Sequence, residues 1–202
     1  MLGAVVAAQT PSNPMVAALP RGGVPVGFEV ARALECELDV LVVRKIGVPF
    51  HPELAMGAVA EGGVVIRNQE VIDSIGIDER SFLIAADAER AELDLRLSRY
   101  RETAPALDPL GRTVVVVDDG LATGSTALAA IGVLRERGPS RVWLAVPVAP
   151  PDVMPAIEKA ADRVIVLDQP KRFIAVGAWY RDFSQTPDSE VSDLLRRSRQ
   201  DH

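Results

Sequence analysis

Short apolar runs recur along the chain and alternate with longer amphipathic stretches, in which apolar and charged positions repeat every three or four residues. That alternation is the pattern of parallel β-α-β units. Pro14 to Leu19 predicts a first buried strand, ended by Pro20-Arg21-Gly22-Gly23, and Val24 to Leu34 predicts a helix. Leu38 to Val43 is a second strand. Gly47 to Gly63, rich in glycine and proline, predicts a long, mobile loop or hairpin, with a short strand at Val64 to Ile66 after it. Asp78 to Glu102 reads as one long helix. Ala86, Leu93, Leu97 and Tyr100 fall on its core stripe, and Glu92 and Arg96 are spaced to pair on its exposed face. Thr113 to Val117 is β-branched throughout, as a strand buried on both faces would be. A helix follows from Ser125 to Arg137, then a strand at Val142 to Val148, a helix at Asp152 to Ala161 and a last strand at Val164 to Leu167. Thr186-Pro187 has the form of an N-cap followed by proline at the first helical position, opening a C-terminal helix over about residues 186–197. The expected architecture is α/β: an open, mainly parallel twisted sheet flanked by helices.

A length of 202 residues bounds this at a single domain, 1–202, and no internal repeat or second core is visible. With 48% apolar and 25% charged residues, the chain is not of the disordered class. No run approaches the roughly 18–20 apolar residues of a membrane span. The apolar start, Leu2 to Ala8, is short and lacks the basic flank of a signal peptide. One cysteine, Cys36, leaves no internal disulfide and fits a reducing, cytoplasmic location. With His51 and His202 as the only histidines, a Cys/His zinc site is not expected. The net charge of −6 argues against nucleic-acid partners but leaves room for one small anion.

Most of the chemistry lies in Val114 to Thr126. A buried strand delivers Asp118 and Asp119 to its C-terminal end, the edge where open parallel sheets bind ligands. Thr123-Gly124-Ser125-Thr126 then opens a helix, where free backbone N–H groups and the positive helix end favour a phosphate. Acidic groups beside an anion site make sense if the ligand also presents hydroxyls or a metal ion, as a sugar phosphate does. No Gly-Lys-Ser/Thr is present, so this is not a Walker A loop. Gly22 and Gly23 free the backbone after the first strand to aim amides at a ligand, and Arg21 adds a planar cation. Arg44 and Lys45, the latter one of only three lysines, leave the second strand where a pyrophosphate would suit them. His51, Glu53 and Glu61 are weaker candidates for proton transfer. Four of the nine aromatic residues, Phe173, Trp179, Tyr180 and Phe183, lie within one short segment, where flat rings could stack on a planar base.

Asp118 to Thr126 resembles the ribose-phosphate loop of the type I phosphoribosyltransferases, which bind 5-phosphoribosyl-1-pyrophosphate (PRPP). The resemblance extends over most of the chain, closest to bacterial phosphoribosyltransferase-like proteins. It implies a flexible loop over about residues 47–63 and a hood over about residues 168–185. Asp118 and Asp119 would then hold the ribose hydroxyls, and Ala122, Thr123, Gly124, Ser125 and Thr126 the 5-phosphate. Arg21, Gly22, Gly23, Arg44 and Lys45 would hold pyrophosphate, with Arg21, Lys45 and the two aspartates as the catalytic set. Phe173 and Trp179 would bind the base, and Asp182 would help hold Mg²⁺, the implied cofactor. The resemblance also implies a homodimer whose partners are PRPP and a nucleobase-like acceptor. The reaction expected is transfer of ribose 5-phosphate to a nitrogenous base, a purine or related heterocycle, through an oxocarbenium-like transition state. Loop closure would exclude water. In 6-oxopurine enzymes an aspartate stands where this chain has Ala122, whereas adenine-type and several other members carry a small residue there. The chain starts almost directly before the first strand, which shortens the helix expected upstream. Two other readings stay open: a non-enzymatic PRPP-binding regulatory or accessory protein, and a sugar-phosphate hydrolase.

Overall fold

The computed structural model describes residues 1–49, 51–102 and 104–200, apart from the side chains of Pro52 and Glu53. Helix α1 (Leu2–Ala7) precedes strand β1 (Pro14–Ala18), helix α2 (Gly23–Leu34) and strand β2 (Leu38–Val40). Strands β3 (Val43–Val48), β4 (His51–Ala60) and β5 (Val64–Arg67) come next, then helices α3 (Gln69–Ile75) and α4 (Glu79–Arg101). The second half alternates strictly: β6 (Thr113–Val117), α5 (Ser125–Glu136), β7 (Arg141–Val148), α6 (Met154–Ala160) and β8 (Arg163–Asp168). Helix α7 (Asp188–Gln200) follows an extended segment that carries a short helical turn at Val176–Trp179.

Five strands form one all-parallel sheet in the order β2-β1-β6-β7-β8. Successive residues of each strand face opposite cores, as the period of two requires. Val16, Val115, Val117 and Trp143 pack with α1, α2, α4 and α7 on one side. Met15, Val114, Val116 and Leu144 pack with α5 and α6 on the other. This is the parallel, helix-flanked architecture expected, and β6, at the centre, is buried at every position.

The first half departs from expectation in one respect. Leu38 to Val43 does not form a single strand: β2 ends at Val40, and the chain turns away into a second, antiparallel sheet, β3-β4-β5. Apart from Asp39 the run is apolar because both sheets are buried there, so its hydropathy does not mark where one strand ends and the next begins. The turn is held instead by Asp39. Its carboxylate accepts from Arg101 at 2.6 Å and from the Leu107 amide at 2.9 Å, while Arg101 also grips Glu61 at 2.5 Å. The Gly47 to Gly63 segment takes the hairpin form of the two expected, with β4 as its outgoing strand.

Helix α3, which the hydropathy pattern does not predict, has ordinary end signals: the Asn68 side chain accepts from the Val71 amide, and Gly76 closes it at φ +73°. Asp78 caps α4 through the Ser81 amide at 2.7 Å, and Ala86, Leu93, Leu97 and Tyr100 are buried as the stripe predicted. On the exposed face of α4 the ion pair is Arg90 with Asp87, in place of the expected Glu92 with Arg96. Among the described residues no helix is long and apolar enough to cross a membrane.

Candidate active site

Strands β1 and β6 end side by side, and their following turns interlock. The Leu19 amide donates to the Val117 carbonyl at 2.8 Å, which brings Arg21-Gly22-Gly23 against Asp118-Asp119. The fit leaves no room for side chains. A methyl group on Gly22 would overlap the Asp119 carboxylate. One on Gly23 would come within 2.7 Å of the Val117 carbonyl oxygen and 2.9 Å of the Asp118 Cα. Both glycines are therefore needed for close approach.

Asp118 is deeply set at the strand end, and its Oδ1 accepts from the Asp119 amide at 2.9 Å. Burial, reinforced by the negative charge of Asp119, pushes the Asp118 carboxyl well above the ordinary carboxylate range, and burial raises Asp119 as well. Two carboxyls at one strand end cannot both ionise cheaply without a ligand that supplies donors or a cation. Tyr180 fastens the far side of the turn, its hydroxyl donating to the Asp119 carbonyl at 2.6 Å.

The phosphate turn continues with Gly124 at φ +70°, a left-handed conformation that glycine adopts freely. This starts α5, a helix of 12 residues whose first-turn amides face the turn. Thr123 and Ser125 hydroxyls lie 3.0 Å apart, and Lys45 reaches from β3 to donate to Ser125 Oγ at 3.2 Å.

Three cavities meet here. The first, of about 310 Å³, is lined by the turn from Asp118 to Ala127 with Val176 and Phe183 above it. The second, of about 540 Å³, shares Asp119 and Phe183 with the first and adds Arg21, Gly22, Tyr180 and Asp182. The third, of about 430 Å³, shares Ala122 with the first and is lined by Pro150, Asp152, Lys171 and Phe173. The arrangement can hold a ligand with a central sugar phosphate, an anionic group on one side and a planar group on the other.

The residues singled out from the sequence fall into two groups. Asp118, Asp119, the Ala122 to Thr126 turn, Arg21, Gly22, Lys45, Phe173 and Asp182 line these cavities or touch the turn, and Gly23 packs beneath Asp118. Asp182 accepts from the Ser184 amide at 2.9 Å, which lowers its carboxyl. Arg44 is turned away: its guanidinium pairs with Glu89 of α4 at 2.8 Å. Trp179 sits on the short helical turn, 44% exposed, and the hood aromatics that meet the phosphate turn are Tyr180 and Phe183. Those two belong to the aromatic cluster visible in the sequence, but their roles depend on how the hood folds back. His51 is exposed at the start of β4. Glu61 is engaged by Arg101, and the side chain of Glu53 lies outside the described residues.

The chain is similar to several known proteins of one family. The family model described as "Phosphoribosyl transferase domain" matches residues 6–181. A Mycobacterium tuberculosis protein named "Putative phosphoribosyl transferase" is 46% identical over 187 residues, covering 93% of this chain and 42% of that protein. The chain thus spans less than half the length of that relative. Adenine phosphoribosyltransferase of Mycobacterium avium is 33% identical over 113 residues, 44% of this chain and 62% of that one. The crystal structure of TT1426 from Thermus thermophilus superposes with a TM-score of 0.91 at 42% identity, covering 97% of this chain and 95% of that one. With the family model matched over most of its length, the chain belongs to the phosphoribosyl transferase domain family.

Proposed function

We propose that the protein transfers ribose 5-phosphate from PRPP to a nitrogenous base, a purine or related heterocycle, and releases pyrophosphate in the cytoplasm. The observation that carries this reading is the meeting of three cavities at the phosphate turn, with a cation and two carboxylates on one side and Phe173 on the other. The first-turn amides of α5 and the Thr123 and Ser125 hydroxyls would take the 5-phosphate. Asp118 and Asp119 would accept from the ribose hydroxyls.

Bond breaking at the anomeric carbon needs no covalent nucleophile from the protein. It needs both reactants held in line and the departing charge stabilised. Arg21 and Lys45 are cations placed for that task, whereas Arg44 is committed to Glu89. Among the described residues no group of three acidic, histidine or cysteine side chains could hold a metal unaided. Asp119 and Asp182 do line one cavity, a donor set that suits Mg²⁺ held by one or two carboxylates together with substrate phosphates. When bound, such an ion neutralises charge on pyrophosphate.

The acceptor cavity bears on the choice of base. Position 122 carries alanine where a 6-oxopurine enzyme carries aspartate, which favours an adenine-like acceptor; the carboxylate that does line this cavity is Asp152, from the turn after β7. Similarity to an adenine phosphoribosyltransferase supports the same preference.

The test is a panel of nucleobases incubated with PRPP and Mg²⁺, read by nucleotide formation. Nucleotide from at least one base supports the proposal. Ribose 5-phosphate released without a base would make the protein a hydrolase, and PRPP binding with no turnover of any base would make it a regulatory PRPP-binding protein. In the same assay Lys45→Ala should raise KM for PRPP by about 10–100-fold, the value of one charge-assisted hydrogen bond, with little change in Tm.

A further inference from the structure

Among the described residues Arg21 makes one ion pair, and its partner comes from the other end of the chain. Its guanidinium lies 3.8 Å from Asp188 Oδ1, at the start of α7. Asp188 is itself held at both oxygens: Oδ1 accepts from the Tyr100 hydroxyl at 2.7 Å, and Oδ2 accepts from Arg99 at 2.7 Å. Tyr100 is wholly buried in the core, so the carboxylate is referred to the rigid interior rather than to a mobile surface group. The Tyr100 hydrogen bond, ahead of the Arg99 and Arg21 charges, keeps the Asp188 carboxyl low and therefore ionised at neutral pH.

The arithmetic of charge matters as much as the distance. Two guanidinium groups share one carboxylate, so Asp188 orients Arg21 without cancelling it. At 3.8 Å the contact is a charge pairing rather than a short hydrogen bond, which leaves the N–H groups of Arg21 available to an anion. The Arg21 backbone is already fixed by the packing of Gly22 and Gly23 on Asp118 and Asp119. What remains free is the long side chain, and a long side chain ordered before binding loses less entropy on binding.

We propose that Asp188 is the positioning residue for Arg21, aiming its guanidinium into the cavity it shares with Asp119 and Asp182 so that pyrophosphate meets a pre-oriented cation. This rests on the reading of Arg21 as a pyrophosphate ligand. None of its three partners is near Asp188 in sequence: Arg21 comes from a loop, Arg99 and Tyr100 from α4, and the carboxylate from α7.

The experiment titrates magnesium pyrophosphate into the full chain by calorimetry, for wild type, Arg21→Ala, Asp188→Asn and the double variant. Asparagine keeps the shape and an acceptor for Tyr100 but removes the charge. Asp188→Asn should weaken binding about tenfold, and the double variant should bind no more weakly than Arg21→Ala alone, because coupled residues are non-additive. In steady state Asp188→Asn should raise KM for PRPP about tenfold, lower kcat in step with any lost leaving-group stabilisation and leave the acceptor KM within about twofold, a selectivity that a general loss of stability would not show. Wild-type affinity in Asp188→Asn, or losses that multiply in the double variant, would overturn the assignment. Unchanged binding in Arg21→Ala would instead strike the pyrophosphate reading beneath it. If Asp188→Asn fails to fold, Tyr100→Phe releases one side of the same carboxylate and should cost about threefold in pyrophosphate affinity; no loss there overturns the proposal.

Discussion

Replacing Asp118 and Asp119 together with asparagine should abolish measurable PRPP binding and, at the same time, raise Tm. The first effect follows from losing both negative charges and replacing one acceptor oxygen of each carboxylate with an amide donor, which leaves the ribose hydroxyls and any bound cation poorly matched. The second follows from what the two carboxyls cost the folded chain. Burial and mutual repulsion raise the Asp118 carboxyl, and burial raises Asp119. A group whose folded pKa lies above its unfolded value contributes stability that is complete below the unfolded pKa, near ~4, and is lost as pH rises through the folded value. Wild type should therefore lose stability from acidic toward mildly alkaline pH on account of this pair, and the double variant should lack that slope. Thermal melts at pH 8 should put the variant above wild type by about 2–4 °C for each kcal/mol relieved, with the two curves converging near pH 4. PRPP titration calorimetry on the same samples reads the binding loss. A folded double variant that still binds PRPP normally would remove these residues from the site; a lower Tm would show that the pair is a structural anchor rather than a stored cost.

The second large effect is expected at Gly23. Alanine there should lower Tm and reduce PRPP affinity by about a hundredfold, the scale of loss that a misplacement of about 1 Å produces at a site of this kind. The sign is informative. Gly23 is the first residue of α2, and intrinsic helix propensity alone would favour alanine by roughly 1 kcal/mol. Against that stands the added methyl, which meets the Val117 carbonyl oxygen and the Asp118 Cα, both backbone atoms that cannot rotate aside. Overpacking of this kind costs about 1–3 kcal/mol, so the turns of β1 and β6 should separate. Differential scanning calorimetry decides between them: a raised Tm with intact PRPP affinity would mean that the two turns are not interlocked in solution.

Much of this is legible in the chain itself. The strands buried on both faces announce themselves as unbroken apolar runs, and the order Asp-Asp then Thr-Gly-Ser-Thr fixes the turn after β6 because each residue type there answers a local demand. What the sequence does not carry is pairing at a distance. Nothing near Arg44 says that Glu89, far along the chain, will neutralise it, and nothing near Thr186 says that Asp188 will meet Tyr100 and Arg21. The break between β2 and β3 is hidden for a different reason. Two sheets bury consecutive residues, so hydropathy runs straight through a corner that is set by Asp39 and Arg101. Helix α3 was visible in principle, since Asn68 and Gly76 bracket it, but a helix of only seven residues shows little periodicity.

Arg101 also has a mechanical meaning. It joins the end of β2, the long helix and Glu61 just beyond β4, so the antiparallel sheet is pinned at that corner. Strand β4 runs ten residues from the pin, about 30 Å at roughly 3.4 Å per residue. Such an arm is a lever: a rotation of about 10° at the Arg101 end carries the His51 end through about 5 Å, a displacement that follows from the strand's extended rise. Lys45, paired with Ala58 only two residues from the strand's end, sits close to the pivot and moves little. The fold thus sets Lys45, whose amine donates to Ser125, near the pinned end of the sheet and His51 at its far end.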